Sequence, residues 1–176
     1  NDNFDGSTQT VALNIDGNAG SDVLRGGSYN DYLYGDEGNN ILYGNGGDDR
    51  IYAGSGNDVA YGGAGNDTIN VGLGNNSVDG GDGNDSITTG AGNDVILGGA
   101  GNDNINAGTG VDYVSGGAGN DTIYISTGFS SVIGGDGYDR VYITGTIGNT
   151  LNLATTGIEY ISGGDGNDYF NGYSQT

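Results

Sequence analysis

Aspartates recur at a fixed spacing through most of this 176-residue chain. One row repeats every eighteen residues without a gap and comprises Asp31, Asp49, Asp67, Asp85, Asp103, Asp121 and Asp139. A second row, displaced by nine residues, comprises Asp22, Asp58, Asp94 and Asp112 and is interrupted by Asn40, Asn76 and Ser130. Hard carboxylate oxygens suit Ca²⁺, whereas Mg²⁺ requires a strict octahedron and zinc requires the histidines or cysteines that this sequence lacks. Both rows are therefore predicted to bind calcium.

The aspartates belong to a nine-residue repeat that runs without insertion or deletion from Gly17 to Tyr142. Its consensus is G-G-x-G-N-D-x-U-x, where U is aliphatic, and the chain contains fourteen consecutive copies. Position eight is apolar in every copy: Leu24, Leu33, Leu42, Ile51, Ala60, Ile69, Val78, Ile87, Ile96, Ile105, Val114, Ile123, Val132 and Val141. A disordered linker has no reason to keep such a column, so the pattern predicts a buried core.

Each repeat divides into a turn of six residues and a strand of three. Glycine reaches backbone angles that are closed to other residues, while Asn and Asp brace turns through side-chain hydrogen bonds. In the x-U-x strand the middle side chain points away from its two neighbours. Two repeats then form one coil of eighteen residues, and stacked coils form two parallel sheets that face each other across the U column. The predicted fold is all-β, a right-handed parallel β-roll (β-solenoid) with short strands.

Stacking of the coils would place the aspartates of each row in a file. Coils of a parallel sheet lie ~4.7–4.9 Å apart, and two carboxylates at that distance repel by roughly 1 kcal/mol in bulk water and by more near a protein surface. The chain offers three arginines and no lysine in compensation. A bound cation would remove the repulsion. The alternative, stronger for the interrupted row, is that the aspartates only cap turns.

The consensus and its unbroken register resemble the calcium-binding nonapeptides of the repeats-in-toxin (RTX) family. The resemblance covers residues 17–142 and returns in GGDGNDYFN at 163–171, which supplies Asp168 as a further candidate ligand. It implies a parallel β-roll with several calcium ions held between the turns of neighbouring coils, and secretion into calcium-rich surroundings. We expect metal binding and folding to be one event, with the metal-free chain largely unfolded.

The chain is expected to comprise three segments. Residues 17–142 form the roll of fourteen nonapeptides. Residues 1–16 are predicted to form an N-terminal capping strand, because TQTVALNID at 8–16 alternates apolar and polar residues. Residues 143–176 break the nine-residue period and form an irregular coil, in which LNL and IEYIS are predicted strands, followed by the final repeat and a tail.

Composition excludes several classes of function. The net charge is −20, and three scattered arginines cannot form the basic patch that nucleic-acid phosphates require. No apolar run approaches the ~20 residues of a membrane span, and the first residues do not read as a secretory leader. The sequence has no His, Cys or Lys for nucleophilic or acid–base chemistry, so we expect no enzyme.

The outward-facing strand residues differ between the two sheets. In the sheet that follows the complete aspartate row, none is aliphatic. In the other sheet nine of fourteen are Val, Ile, Leu or Tyr, and these fourteen are called the apolar face: Val23, Arg25, Ile41, Tyr43, Val59, Tyr61, Ser77, Asp79, Val95, Leu97, Tyr113, Ser115, Ser131 and Ile133. Such a stripe predicts an interaction surface, unless a terminal segment folds over it.

Two smaller patterns concern contacts between coils. Stacked tyrosine pairs are expected at Tyr34–Tyr52, Tyr43–Tyr61 and Tyr124–Tyr142, since the members of each pair lie eighteen residues apart. The asparagines at position five are assigned to turn chemistry: Asn57, Asn66, Asn75, Asn84, Asn93 and Asn102.

These patterns favour a calcium-dependent extracellular structural or adhesive module that folds on calcium binding. Its apolar face would bind a second copy, as in a surface layer or filament, or another extracellular protein. The family resemblance implies an alternative, the C-terminal folding and export module of a larger secreted toxin, protease or lipase. An ice-binding face is a weaker third reading, because position three holds threonine only at Thr109 and Thr127.

Overall fold

Strands of three to six residues alternate along the chain between two parallel sheets. The computed structural model describes residues 1–126, 131–145, 150–152, 157–165 and 169–171, which contain nineteen strands and no helix. The odd-numbered strands form the odd sheet: β1 (Asn3–Asp5), β3 (Val23–Arg25), β5 (Ile41–Gly46), β7 (Val59–Ala64), β9 (Ser77–Asp82), β11 (Val95–Ala100), β13 (Tyr113–Ala118), β15 (Ser131–Asp136), β17 (Thr150–Asn152) and β19 (Tyr169–Asn171). The even-numbered strands form the even sheet: β2 (Asn14–Asp16), β4 (Tyr32–Tyr34), β6 (Arg50–Tyr52), β8 (Thr68–Gly72), β10 (Ser86–Thr89), β12 (Asn104–Asn106), β14 (Thr122–Ile125), β16 (Asp139–Ile143) and β18 (Ile158–Ser162).

The register between neighbouring strands is eighteen residues through the repeats. In the even sheet Leu33 pairs with Ile51, and Ile51 pairs with Ile69. In the odd sheet Val78 pairs with Ile96 in the same way. The predicted parallel β-solenoid, with eighteen residues per coil and two parallel sheets, is confirmed.

The interior is built from two columns of side chains, of which the nine-residue consensus predicts one. All fourteen residues at position eight are at most 1% exposed, as predicted. A second buried column comes from position one of alternate turns and comprises Ala53, Val71, Thr89, Ala107, Ile125 and Ile143. The second column widens the core towards one side of the solenoid.

The turns on the two sides of the solenoid differ at position one. On the first edge, which carries the complete aspartate row, position one is always glycine: Gly26, Gly44, Gly62, Gly80, Gly98, Gly116 and Gly134. On the second edge it is Gly17, Gly35 and then the buried column that begins at Ala53. Position two of the turns also requires glycine, as Gly99 illustrates. Gly99 adopts φ +114°, and a Cβ there would collide with the carbonyl of Gly81.

The N-terminal segment does not form the single strand expected at 8–16. Only Asn14–Asp16 is strand there, and Asn3–Asp5 forms a strand in the other sheet. Ile15 pairs with Leu33 and therefore occupies position eight of a further coil, so the residues before Asn14 serve as its turn. Alternation over TQTVALNID is outweighed by the eighteen-residue register.

The C-terminal segment continues both sheets with altered spacing. IEYIS is confirmed as β18, and its Ile161 pairs with Val141 twenty residues earlier. The predicted LNL strand overlaps β17, while its Leu153 lies outside the described residues. Strand β19 belongs to the final repeat, and Asp168 of that repeat also lies outside the described residues.

The tyrosine ladders are present where the spacing predicts them. The ring centroids are 5.3 Å apart for Tyr34–Tyr52, 4.9 Å for Tyr43–Tyr61 and 5.2 Å for Tyr124–Tyr142, and all three pairs are stacked. In the described parts of the chain, no helix is long and apolar enough to cross a membrane.

Replacement of a position-eight residue should destabilise the roll far more than replacement of its outward-facing neighbour. Ile96 is 0% exposed and Val95 is 45% exposed on the same strand. We expect Ile96→Ala to lower the free energy of unfolding by about 2–5 kcal/mol through lost burial and a residual cavity, and Val95→Ala to lower it by less than about 1 kcal/mol. Chemical unfolding in excess calcium chloride, followed by circular dichroism, measures both. Equal losses would contradict the assignment of the core.

Candidate metal centre

The seven aspartates of the complete row lie in a file inside the first edge. Six of them come directly before a strand of the even sheet and Asp139 is the first residue of β16, and each of the seven is at most 2% exposed. Because every coil repeats the same turn, the carboxyl groups stack at the coil spacing. The predicted alignment of this row is therefore present in the fold.

One carboxylate oxygen of each aspartate is used to join two coils. The amide N–H of Asp49 donates to Oδ1 of Asp67 at 2.7 Å, and that of Asp67 donates to Oδ1 of Asp85 at 2.8 Å. The same bond repeats along the file, always from the earlier coil to the later one. A hydrogen bond to an ionised oxygen is stronger than one between neutral groups, so this ladder favours the charged form.

The second oxygen is buried without a hydrogen-bond partner in six of the seven. These six Oδ2 atoms belong to Asp49, Asp67, Asp85, Asp103, Asp121 and Asp139. The exception is Asp31, whose Oδ2 accepts the amide of Gly27 at 2.6 Å. A buried acceptor with no partner costs free energy, and a recurring one indicates a missing positive group.

Each unpartnered oxygen faces a main-chain carbonyl of the next coil across a gap left by glycine. Oδ2 of Asp67 and the carbonyl oxygen of Gly80 both approach the space beside the Cα of Gly62, and a Cβ there would collide with both. Gly62 has no positive φ, so glycine is required here for space rather than for backbone angle. We call this gap, bounded by one Oδ2 and one carbonyl oxygen, the cradle. It recurs beside every position-one glycine of the first edge.

Burial shifts the acidity of the file. It raises the pKa of Asp49 and Asp103 to about 7 and the pKa of Asp67 and Asp139 to about 6, and neighbouring carboxylates add to the effect. The pKa values of Asp85 and Asp121 are raised for the same reason. Ionisation of these residues is therefore less favourable in the folded chain than in the unfolded one, and a nearby positive charge would offset that cost.

The chain's arginines do not supply that charge, because they lie on the outer faces of the sheets. Each guanidinium sits 4.8–5.1 Å from the centroid of a tyrosine ring, Arg25 over Tyr43, Arg50 over Tyr32 and Arg140 over Tyr138. These contacts keep the cations near the solvent and away from the buried file.

The set of oxygens in each cradle suits calcium. No group of three or more His, Cys, Asp or Glu side chains comes together among the residues that the structure describes. A metal would thus be held by one or two carboxylates and by main-chain carbonyls, as Ca²⁺ accepts and zinc does not. The residues of the first edge fit this ion.

The interrupted row lies on the second edge and has the same backbone ladder. Oδ1 of Asp58 accepts the amide of Asn40 at 2.7 Å, and Oδ1 of Asp94 accepts that of Asn76 at 2.8 Å. Asp22, Asp58, Asp94 and Asp112 are all buried, and Oδ2 of Asp22, Asp58 and Asp94 has no hydrogen-bond partner, as on the first edge. From Ala53 onward, however, the position-one glycine is replaced. The structure thus separates the predicted ligands into two files with different surroundings. Ser130 and Asp168 lie outside the described residues.

Glu159 was not singled out from the sequence, although it continues the complete file. Its Oε2 accepts the amide of Asp139 at 2.7 Å, as the next aspartate would, and the carbonyl of Gly157 bounds the cradle of Asp139. Glu159 follows Asp139 by twenty residues instead of eighteen, so counting in nines misses it. The feature of the sequence that indicates it is an acidic residue, Glu159, inside the predicted strand IEYIS.

The asparagines at position five join coils rather than only bracing their own turns. Oδ1 of Asn66 accepts the amide of Asn84 at 2.8 Å, and Oδ1 of Asn57 accepts that of Asn75 at 2.8 Å. These bonds run from the later coil to the earlier one, opposite to the aspartate ladder. Each turn with an asparagine at position five is therefore tied to the next coil by two antiparallel side-chain bonds.

Comparison with known families supports the metal assignment. A family model of the RTX calcium-binding nonapeptide repeat, four copies long, matches residues 16–51, 43–78, 71–105, 79–114, 97–129 and 153–175, well over half of the chain. No curated protein matches the chain significantly. Given the unbroken repeat, the buried aspartate files and this match, the chain belongs to the family of RTX calcium-binding nonapeptide repeat proteins, whose repeats bind several calcium ions.

Proposed function

We propose that this chain is a structural or adhesive module of an extracellular protein and that it folds on binding calcium. The observation that carries the proposal is the file of buried, unpartnered Oδ2 atoms on the first edge, each facing a carbonyl across a cradle. The proposed ligands are the seven aspartates of the first edge, their position-one carbonyls and Glu159, with Asp168 of the last repeat as a further candidate. Calcium, when bound, supplies the positive charge between coils that the sequence does not.

Coupling of binding to folding follows from the position of the cradles between coils. Each cradle takes its carboxylate from one coil and its carbonyl from the next, as Asp67 and Gly80 illustrate. The complete oxygen set therefore forms only when two coils are stacked, and an unfolded chain offers no such site. Binding free energy is then folding free energy.

An extracellular location is proposed from the chemistry of the site. A flexible calcium site with few acidic side chains binds the ion weakly. Weak binding suits surroundings outside the cell, where calcium is abundant. The net charge of −20 also favours solubility without disulfides or a large apolar core.

Calcium should convert the chain from a largely unfolded state to the β-roll. We expect the far-ultraviolet circular dichroism of the full chain in chelator to lack the β signal, and the signal to appear cooperatively as calcium chloride is raised to about 10 mM, a range typical of extracellular sites. Magnesium chloride over the same range is the control, because Mg²⁺ demands an octahedron that the cradles do not provide. A chain already folded in chelator would contradict the coupling.

Acidification should partly replace calcium in stabilising the fold. In the folded, metal-free chain the raised pKa values of about 6–7 mean that protonation stabilises the fold, so that contribution is present near pH 4 and lost as the pH rises through about 7. In chelator, circular dichroism should therefore show more β signal at about pH 4 than at about pH 8. No gain of β signal on acidification would contradict the burial of these carboxylates in the folded chain.

The apolar face supports the proposal of an adhesive role. Tyr61, Val95, Leu97 and Tyr113 remain 38–45% exposed near its centre, and Asp79 lies between Tyr61 and Leu97 in the ladder. The described parts of both terminal segments extend the two sheets as further strands, β1, β2, β17, β18 and β19. The face is thus available in the described structure for a second copy or another extracellular protein.

Self-association through this face should depend on calcium and on its exposed aliphatic residues. We expect light scattering in calcium to report a mass above the 17.6 kDa of one chain, and Val95→Ser with Leu97→Ser to return the protein to monomers without loss of β signal. Asn104→Ser with Asn106→Ser, at the same strand positions of the even sheet, is the matched control and should leave association unchanged.

A wild-type chain that stays monomeric at high concentration would instead favour the alternative function. In that reading the roll is the passive folding and export module of a larger secreted toxin, protease or lipase. The calcium-coupled folding would be unaffected.

A further inference from the structure

The two edges of the roll differ in the group that stands opposite the position-six side chain. On the first edge a carboxylate oxygen and a carbonyl oxygen face each other with no donor between them. On the second edge Asn40 donates its own amide Nδ2 to the carbonyl of Ala53 at 3.3 Å. The Ala53 carbonyl belongs to position one of the next coil. It lies opposite Asn40 as the Gly80 carbonyl lies opposite Asp67 on the first edge. A hydrogen bond within the chain therefore spans the gap at Asn40. On the first edge the corresponding gap separates two acceptors.

The orientation of the Asn40 amide is fixed by its other atom. Oδ1 of Asn40 accepts the amide of Asp22 at 2.9 Å, so Nδ2 must point towards the carbonyl. Oδ1 of Asn76 likewise accepts the amide of Asp58 at 2.9 Å, but its Nδ2 donates within its own turn, to the carbonyl of Gly74 at 3.1 Å. At both asparagines a neutral donor stands where the first-edge aspartates have Oδ2, and at Asn40 that donor also bridges to the next coil.

At the remaining positions of the second edge, side chains fill the space that glycine leaves open on the first. A Cβ at Gly17 would lie 2.9 Å from Oδ2 of Asp22, which shows that position one points at position six on this edge too. From Ala53 onward real side chains stand there, and Ala53, Val71, Thr89 and Ala107 are at most 2% exposed. Asp58, Asp94 and Asp112 therefore lack the cradle. Oδ2 of Asp58 and Asp94 is buried without a hydrogen-bond partner, as on the first edge, but the side chains of Ala53 and Thr89 occupy the space that glycine leaves open there.

We infer that calcium is bound along the first edge, and that from Asn40 onward the second edge binds none and is held by asparagine amides and a buried column of side chains. The inference deepens the proposed calcium-dependent folding and rests on it. It also revises the expectation that Asp58, Asp94 and Asp112 are calcium ligands. Asp22 is left aside, because its position-one residue, Gly17, is still glycine.

Matched pairs of substitutions on the two edges test the inference in the full chain. Asp67→Asn with Asp103→Asn removes two first-edge carboxylates, and Asp58→Asn with Asp94→Asn removes two from the second edge. Asparagine occurs naturally at Asn40 and Asn76 of the second row, so the second pair keeps both shape and the Oδ1 ladder. The readout is the number of calcium ions bound per chain, by equilibrium dialysis against calcium chloride.

The first-edge pair should lose about two ions per chain, and the second-edge pair should bind as many as the wild type. An equal loss from both pairs would overturn the inference while leaving the proposed function intact. Failure of the wild type to bind calcium would overturn both. If the first-edge pair fails to fold, the comparison of the second-edge pair with the wild type still decides the question, because a loss of ions there contradicts the inference.

Restoring glycine gives an independent measurement. Ala53→Gly with Thr89→Gly recreates the gap beside Asp58 and Asp94, and we expect the chain to gain up to about two ions. An unchanged count would contradict the claim that these side chains are what exclude calcium from the second edge.

Discussion

The structure depends on a carboxylate that is only half satisfied by the protein. From Asp49 onward, Oδ1 of each first-edge aspartate receives an amide from the preceding coil, as Asp67 does from Asp49, and Oδ2 is left without a donor, facing the carbonyl of the following coil. The bond that stacks the coils thus also buries a second acceptor opposite an acceptor. Repulsion between stacked carboxylates and desolvation of each one act together, and both are relieved by one cation in each interval. The need for metal is therefore a consequence of the stacking itself.

The fold could be predicted from the sequence because one period governs it. Position eight holds an apolar residue in all fourteen repeats, and every such residue is buried with its neighbour eighteen residues away. A strand period of two and a coil period of eighteen then fix both the sheets and the outward-facing residues, including the stacked tyrosines. The file of first-edge aspartates followed from the same arithmetic.

The remaining features could not be found by that arithmetic, because they depend on contacts that the consensus does not encode. Glu159 substitutes for an aspartate only because the irregular coil returns to the file after twenty residues. The N-terminal residues join both sheets because Ile15 fits the core column, although their alternation indicates one strand. The consensus gives glycine at position one, whereas the turns of the second edge carry Ala53, Val71 and Thr89 there. Each of these features depends on which atoms a side chain contacts in the folded chain, and the spacing of residues along the sequence does not specify those contacts.

The difference between the edges bears on how the roll holds together as a linear array. In a solenoid each coil contacts only its neighbours, so stability is a sum of coil terms and of terms between adjacent coils. On the second edge the term between coils comes from buried side chains such as Val71 and from neutral amides such as Asn40, which need no ion. On the first edge it contains the charge repulsion of the aspartate file. If calcium is confined to the first edge, the calcium concentration changes the stability of the contacts between coils on that edge alone. The contacts of the second edge then keep the coils in register, so that assembly of the roll depends on calcium and its register does not.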